Sequence, residues 1–530
     1  MASRTSDHVS SRRLLFISIL LSPWCLLCIA PLLLAYGRGL TQWSSVWTLD
    51  RTLDLAGMMG QSLLHAGAAA LMASACCLPA ARALSRTRPR TRWIALCLLC
   101  PALLIPVIIH TFSWLMAFGT TGWLSPLLGG TDLLRHPHLA VNLIWASAFA
   151  PISLIIQVTA LSKRHRAGEE LAQLIPLTLS DRIRIQWGYV ALPALMGAGV
   201  MLLLMLFNST APAYFGRHFF ANELMSEFSH PAQRDRATAL ALPIQIICLA
   251  LLLLFLRLAQ RLYAVSAYQS PLTQTARPSL TAGTCITLLA LCGTILPLLM
   301  MLRESHWLAQ IGPDAAIAAQ DIRNTLNSTA LTVCFALPLA LSLYAARVLS
   351  DRSPLLSRSI DILATLTVTL PQSVLALALV LFWSQPDWRH AFYNSHLLHP
   401  LGLALILTPA LYWCLRLSRI TTPNRFHEAA ELTGLSFFRR FWLIDLRAAR
   451  HWLILGIGAV ATAALGNLEA SQLLSRAGGG TLSQLIARNL HYGRDASMAS
   501  HCLILVSMIA GVALITLALL RLTNRTTRTS

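Results

Sequence analysis

The chain has 530 residues, 56% of them hydrophobic and only 12% charged, about half the charged share of a soluble domain. A chain this apolar cannot cover a water-facing surface, which excludes an ordinary soluble protein. Its net charge of +20 would suit nucleic acid, but the basic residues follow the pattern of membrane topology, so lipid and not nucleic acid is the expected surrounding.

Apolar runs long enough to cross a hydrocarbon core recur along the whole sequence. In chain order they fall near 14–36, 57–81, 93–117, 138–161, 188–209 and 237–260. A second set lies near 279–301, 324–346, 360–383, 398–415, 451–470 and 497–520. A membrane span must satisfy its own backbone groups, and the alternation of a transmembrane barrel is absent. The expected fold class is therefore an all-α polytopic membrane protein with about 12 transmembrane helices. The first run is too long for a cleavable signal core and lacks a small-residue cleavage site. Pro106 and Pro371 lie inside the third and ninth runs, where neighbouring helices can satisfy the freed carbonyl.

Lys163 is the only lysine, and Gly-rich surroundings for a phosphate-binding loop are missing around it, so no ATP site of its own is expected. With the N-terminus in the cytoplasm, 29 of the 41 basic residues fall on the cytoplasmic side. The positive-inside rule then places both termini in the cytoplasm. The 12 cysteines, among them Cys25, Cys28, Cys76, Cys77, Cys97 and Cys100, sit mostly inside apolar runs without nearby histidine ligands. They read as small buried hydrophobes, and no metal or cofactor is expected. A haem would require buried pairs such as His65 and His110.

The two halves resemble each other in order and detail. Ala80-Ala81-Arg82-Ala83-Leu84-Ser85-Arg86 follows the second run, and Ala345-Ala346-Arg347-Val348-Leu349-Ser350 follows the eighth. Pro106 and Pro371 each stand 13 residues before a small residue, Gly119 and Ser384. The reading is a first six-span unit over 1–263, a cytoplasmic linker over 264–278 and a second unit over 279–530. Two parallel units leave a central interface, where transporters place their pathways.

The segment after the tenth run is the most informative. It carries Glu428-Ala429-Ala430, then Gly434, Arg439, Arg440 and Leu446. Small alanines allow close approach, Gly434 allows a turn at positive φ, and Leu432, Leu435, Phe437, Phe438 and Phe441 offer apolar anchors on a cytosolic loop. An interfacial helix on anionic lipid is the plainer reading of the same residues. The first half has a weaker counterpart in Glu169-Glu170-Leu171-Ala172, followed by Leu192-Pro193 but without the glycine. Glu170 to Leu192 spans 22 positions against 18 from Glu428 to Leu446, so two docking contacts would be unequal.

This loop resembles the Glu-Ala-Ala loop of permeases from binding-protein-dependent ABC transporters, with Arg447 where that family usually has proline. A fused pair of six-span units of this length is similar to the permeases of iron(III), thiamine and related small-ligand importers. The resemblance implies a transport subunit, not an enzyme, in the bacterial inner membrane. It implies a cytoplasmic ABC ATPase dimer that docks at Glu428, Ala429, Ala430, Gly434, Arg439, Arg440, Glu170 and Ala172, and an extracytoplasmic substrate-binding protein.

Only two acids lie within the apolar runs, Asp361 near a cytoplasmic end and Glu469 near an outer end. A carboxylate in a membrane normally faces a partner or a wet cavity. Glu469 with Asn467, and Asn208 with Ser209 in the first half, are the candidate translocation-pathway residues. Asp361 is expected to reach interfacial water. Arg217, Glu223, Glu227, Arg476, Arg488 and Arg494 in the outer loops are candidates for contact with a soluble binding protein. The alternative is an ion-coupled secondary transporter, which would need acids clustered at the midplane.

Overall fold

The structure, a computed structural model, describes residues 11–87, 92, 95–96, 99, 101–119, 122–128, 136–163, 178–230, 233–265, 280–351, 353–421, 434–476 and 478–526. Every regular element among them is helical. The first half contains α1 (Arg13–Thr41), α2 (Leu49–Arg86), α3 (Val107–Phe118), α4 (Pro137–Lys163), α5 (Leu179–Leu206), α6 (Thr210–Tyr214), α7 (Phe220–Ser229) and α8 (Arg234–Val265). The second contains α9 (Leu280–Glu304), α10 (Ala319–Leu349), α11 (Pro354–Thr369), α12 (Gln372–Trp383), α13 (Leu398–Thr421), α14 (Phe437–Leu465), α15 (Glu469–Leu474), α16 (Leu482–His491) and α17 (Asp495–Thr526).

Among the described residues, nine helices are long and apolar enough to cross a membrane, and α11 with α12 makes a tenth if the two arms are one span. The third and fifth apolar runs correspond to shorter apolar helices, α3 and the Val190–Leu206 part of α5. The expectation of continuous helices through Pro106 and Pro371 is corrected. The chain breaks at both, with Pro106 at φ −56°, ψ 147° and Pro371 at φ −53°, ψ 133°. Proline lacks the N–H that would continue the ladder, and it pushes the preceding residue out of the helical region. The arms α11 and α12 meet at 98°.

Each half sends its first helix onto the other half. α1 packs on α10 and α12, and α9 packs on α2 and α3. Trp24 Nε1–H donates to the Leu363 carbonyl at 3.2 Å, and Ile17 is buried against Ala346 and Ile360. Lipid tails are as apolar as leucine, so such contacts depend on close packing and on hydrogen bonds between helices. In the first half, Gln157 Nε2 donates to Ser74 Oγ at 2.8 Å and Ser153 Oγ at 2.9 Å, while Ser74 Oγ donates to the Ala194 carbonyl at 2.7 Å. This buried group ties α2, α4 and α5 together.

Local features recur in both halves. α1 and α9 each contain one widened π turn, Cys25–Ile29 and Leu291–Ile295. α7 and α16 each have ten residues, and the first N–H of each is received by a hydroxyl of the long helix earlier in its half. Phe220 N–H donates to Ser62 Oγ at 3.0 Å, and Leu482 N–H donates to Thr325 Oγ1 at 2.9 Å. These contacts hold both short helices at the distal end of the bundle, away from the described ends of the chain.

Candidate functional site

The two halves meet at the distal end through the short helices α6 and α15. Each follows the end of a long helix and is opened by an asparagine. Asn208 Oδ1 accepts from Ala211 N–H at 3.4 Å, and Asn467 Oδ1 accepts from Ala470 N–H at 3.1 Å. Such side-chain capping satisfies amides that the new helix turn leaves without a partner. It also aims the neighbouring side chains across the interface.

Glu469 is the first residue of α15 and is half-buried. Its Oε1 accepts from Ser209 N–H at 3.2 Å and from Ser209 Oγ at 3.4 Å. The carboxylate of the second half is thus held by the first. Asn222 Nδ2 donates to the Ser209 carbonyl at 3.0 Å, which steadies that turn. Asn208 and Asn467 face back into their own halves. Trp145 Nε1–H donates to Asn208 Oδ1 at 3.0 Å, and Asn467 Nδ2 donates to Gln372 Oε1 at 2.8 Å. Gln372 opens α12 directly after the Pro371 break. Gly466 packs on the other break, since a Cβ there would lie 2.7 Å from Pro106 Cγ. The four candidate pathway residues therefore gather around both broken helices.

A hydrogen-bond chain extends this cluster into the second half. Ser471 Oγ–H donates to the Asn467 carbonyl at 2.8 Å. Its oxygen must then accept from His399 Nε2–H at 2.9 Å. A neutral imidazole protonated on Nε2 accepts at Nδ1, so Ser328 Oγ–H donates to it at 3.1 Å. Ser328, His399 and Ser471 are all buried. His399→Ala is expected to lower stability by about 1–3 kcal/mol, because two buried hydroxyls lose their partner; thermal unfolding of the purified protein measures it.

Residues 336–529 match the family described as binding-protein-dependent transport system inner membrane component. This part of the chain is similar to that family. It contains α11 to α16 whole, with Gln372, His399, Gly434, Asn467 and Glu469, and excludes Asn208 and Ser209. A search of curated proteins finds no match to the chain. The description of the matched family and the nine long apolar helices among the described residues support a multi-pass inner-membrane location.

The loop between α13 and α14 lies partly outside the described residues, which do not include Glu428, Ala429, Ala430 or, in the first half, Glu170 and Ala172. Gly434 is exposed at φ +66°, and a Cβ at this position would meet nothing within 4 Å. Leu435, Phe438 and Arg439 are exposed and Arg440 is half-buried. Phe441 is corrected as a docking anchor. It is 5% exposed and packs on Tyr344 with ring centroids 5.8 Å apart, because its side chain turns inward from α14 onto α10. Phe438 meets Phe16 of α1 at 6.1 Å.

Behind this loop stands an ion-pair network that sequence reasoning missed. Arg347 pairs with Asp351 and Asp361, and Arg419 pairs with Asp351 at 2.6 Å and Asp445 at 2.8 Å. Arg416 lies 3.6 Å from Asp361, and Tyr412 Oη–H donates to the same carboxylate. Asp361 therefore serves three partners, not interfacial water alone. The network joins α10, α11, α13 and α14 at the end where the loop attaches.

One further expectation changes. Glu227 is 5% exposed because it falls on the face of α7 that also buries Leu224 and Phe228. It is not a surface group for a binding protein. His110 bonds the Ala102 carbonyl at 3.2 Å, while the His65 ring stacks on His138 at 4.3 Å. No cluster of three or more metal-ligating groups occurs among the described residues.

Proposed function

We propose that the chain is a fused two-unit permease of an ABC importer, with both termini cytoplasmic. It forms the translocation pathway between its halves and is moved by a separate cytoplasmic ATPase dimer. An extracytoplasmic binding protein delivers the ligand, with iron(III) or a thiamine-like molecule as the leading substrate classes. The reading rests on the contact between Ser209 and Glu469, made across the two halves beside both broken helices. Opening and closing the pathway then requires this contact to form and release as the ATPase changes state.

In this reading the segment from Glu428 to Arg440 docks on the ATPase, with Gly434 making its turn and the first-half loop around Glu170 and Ala172 making a second, unequal contact. Gly434→Val is expected to abolish co-purification of the ATPase. A β-branched residue at positive φ strains the backbone by about 1–2 kcal/mol, and its side chain meets open space, so the bundle itself stays folded. Unchanged co-purification would remove Gly434 from the docking site. An ion-coupled transporter is the second reading. It fits less well because Asp351, Asp361 and Asp445 are paired with arginines, leaving Glu469 as the acid at the interface.

A further inference from the structure

A cavity of about 570 Å³ opens at the distal end of the second half, between the start of α10, the start of α13 and the segment after α15. No carboxylate lines it. Its polar groups are amides, hydroxyls, imidazoles and one guanidinium. Arg476 Nη1 donates to the Asn394 carbonyl at 2.7 Å, and the residue forms no ion pair among the described residues. The side chains of Asn327 and His396 make no hydrogen bond among the described residues. Ser475 Oγ is buried on the same wall with no partner there. Unspent donors thus converge on one space that offers no anionic acceptor.

The wall is built to hold its shape. Asn324 Nδ2 donates to the carbonyls of Gly478 at 3.3 Å and Gly480 at 3.1 Å, pinning the loop that carries Arg476 to α10. Ser328 has its hydroxyl hydrogen committed to His399, which anchors the floor. The first half fills the corresponding place with rings. His65 lies three residues beyond Ser62 as Ser328 lies three beyond Thr325, and His138 is the second residue of α4 as His399 is of α13. His65 stacks on His138 at 4.3 Å and on Phe219 at 5.5 Å. The open site therefore belongs to the second half.

We propose that this cavity binds a small oxyanion, with Arg476 as the charged anchor and Asn327 and Ser475 as further donors. Planar guanidinium groups match the oxygens of phosphate and carboxylate, and charge-assisted hydrogen bonds are the strong ones. The same chemistry is offered by a free anion and by a lipid phosphate at the membrane surface. The site stands on the cavity and not on the transport reading, so its test uses neither ATPase nor uptake.

The test is calorimetric titration of the purified full chain in detergent with inorganic phosphate and, separately, with short-chain phosphatidic acid. Saturable one-site binding is expected, weakened about tenfold or more by Arg476→Gln and about threefold by Asn327→Leu. Both residues are exposed at the cavity wall, and two separate variants guard against misfolding in either. Binding of phosphate assigns the site to a free anion; binding of phosphatidic acid alone assigns it to a lipid headgroup. Failure of both ligands to bind, or equal binding by wild type and both variants, overturns the proposal.

Discussion

Replacing Asp445 with alanine is expected to destabilise the folded protein by about 3 kcal/mol. Asp445 is 2% exposed and holds Arg419 at 2.8 Å. A solvent-exposed pair is worth at most about 1 kcal/mol, but removing one member of a buried pair leaves a desolvated charge behind. Arg419 keeps Asp351 at 2.6 Å, which moderates the loss. Replacing Arg419 and Asp445 together by leucine should recover much of the stability, because the buried charge is then gone. Chemical unfolding in detergent, followed by tryptophan fluorescence, measures both. A loss below about 1 kcal/mol for the alanine variant would mean that water reaches the pair and that its position behind the loop is energetically idle.

Glu469→Leu is expected to reduce transport by about tenfold to a hundredfold. Two hydrogen bonds to the Glu469 carboxyl span the halves here, each contributing about 0.5–1.5 kcal/mol. Glu469→Gln keeps an acceptor oxygen and should lose only a fewfold. Ser209→Ala keeps the backbone donor and should lie between wild type and leucine. If all three variants transport alike in proteoliposomes, the contact is structural packing and not part of the gate.

Much of this was legible in the residues themselves. Apolar runs and arginine distribution pointed to a polytopic helical membrane protein. The isolated polar groups Asn208, Ser209, Asn467 and Glu469 stood out against their apolar neighbours, and they gather at one interface. Pro106 and Pro371 are visible only as prolines inside apolar runs, and such a run carries no record of whether it breaks or of the direction its two arms take. The 98° turn depends on what packs around it. Gln372 gave a faint signal as the lone amide after Pro371. The arginine–aspartate network gave little beyond the i,i+4 spacing of Arg347 and Asp351, because Arg419 and Asp445 lie far along the sequence from them and join only when four helices converge. Glu227 misled because a charge in a short loop helix reads as surface until the helix face is known.

The most direct measurement is ligand uptake into proteoliposomes holding this chain with the ATPase and the binding protein that the proposed function assigns to it. For a permease moved by a separate motor, uptake requires ATP and the ATPase and ceases with Gly434→Val. Uptake of the same size driven by an ion gradient, with no ATPase present, would contradict it.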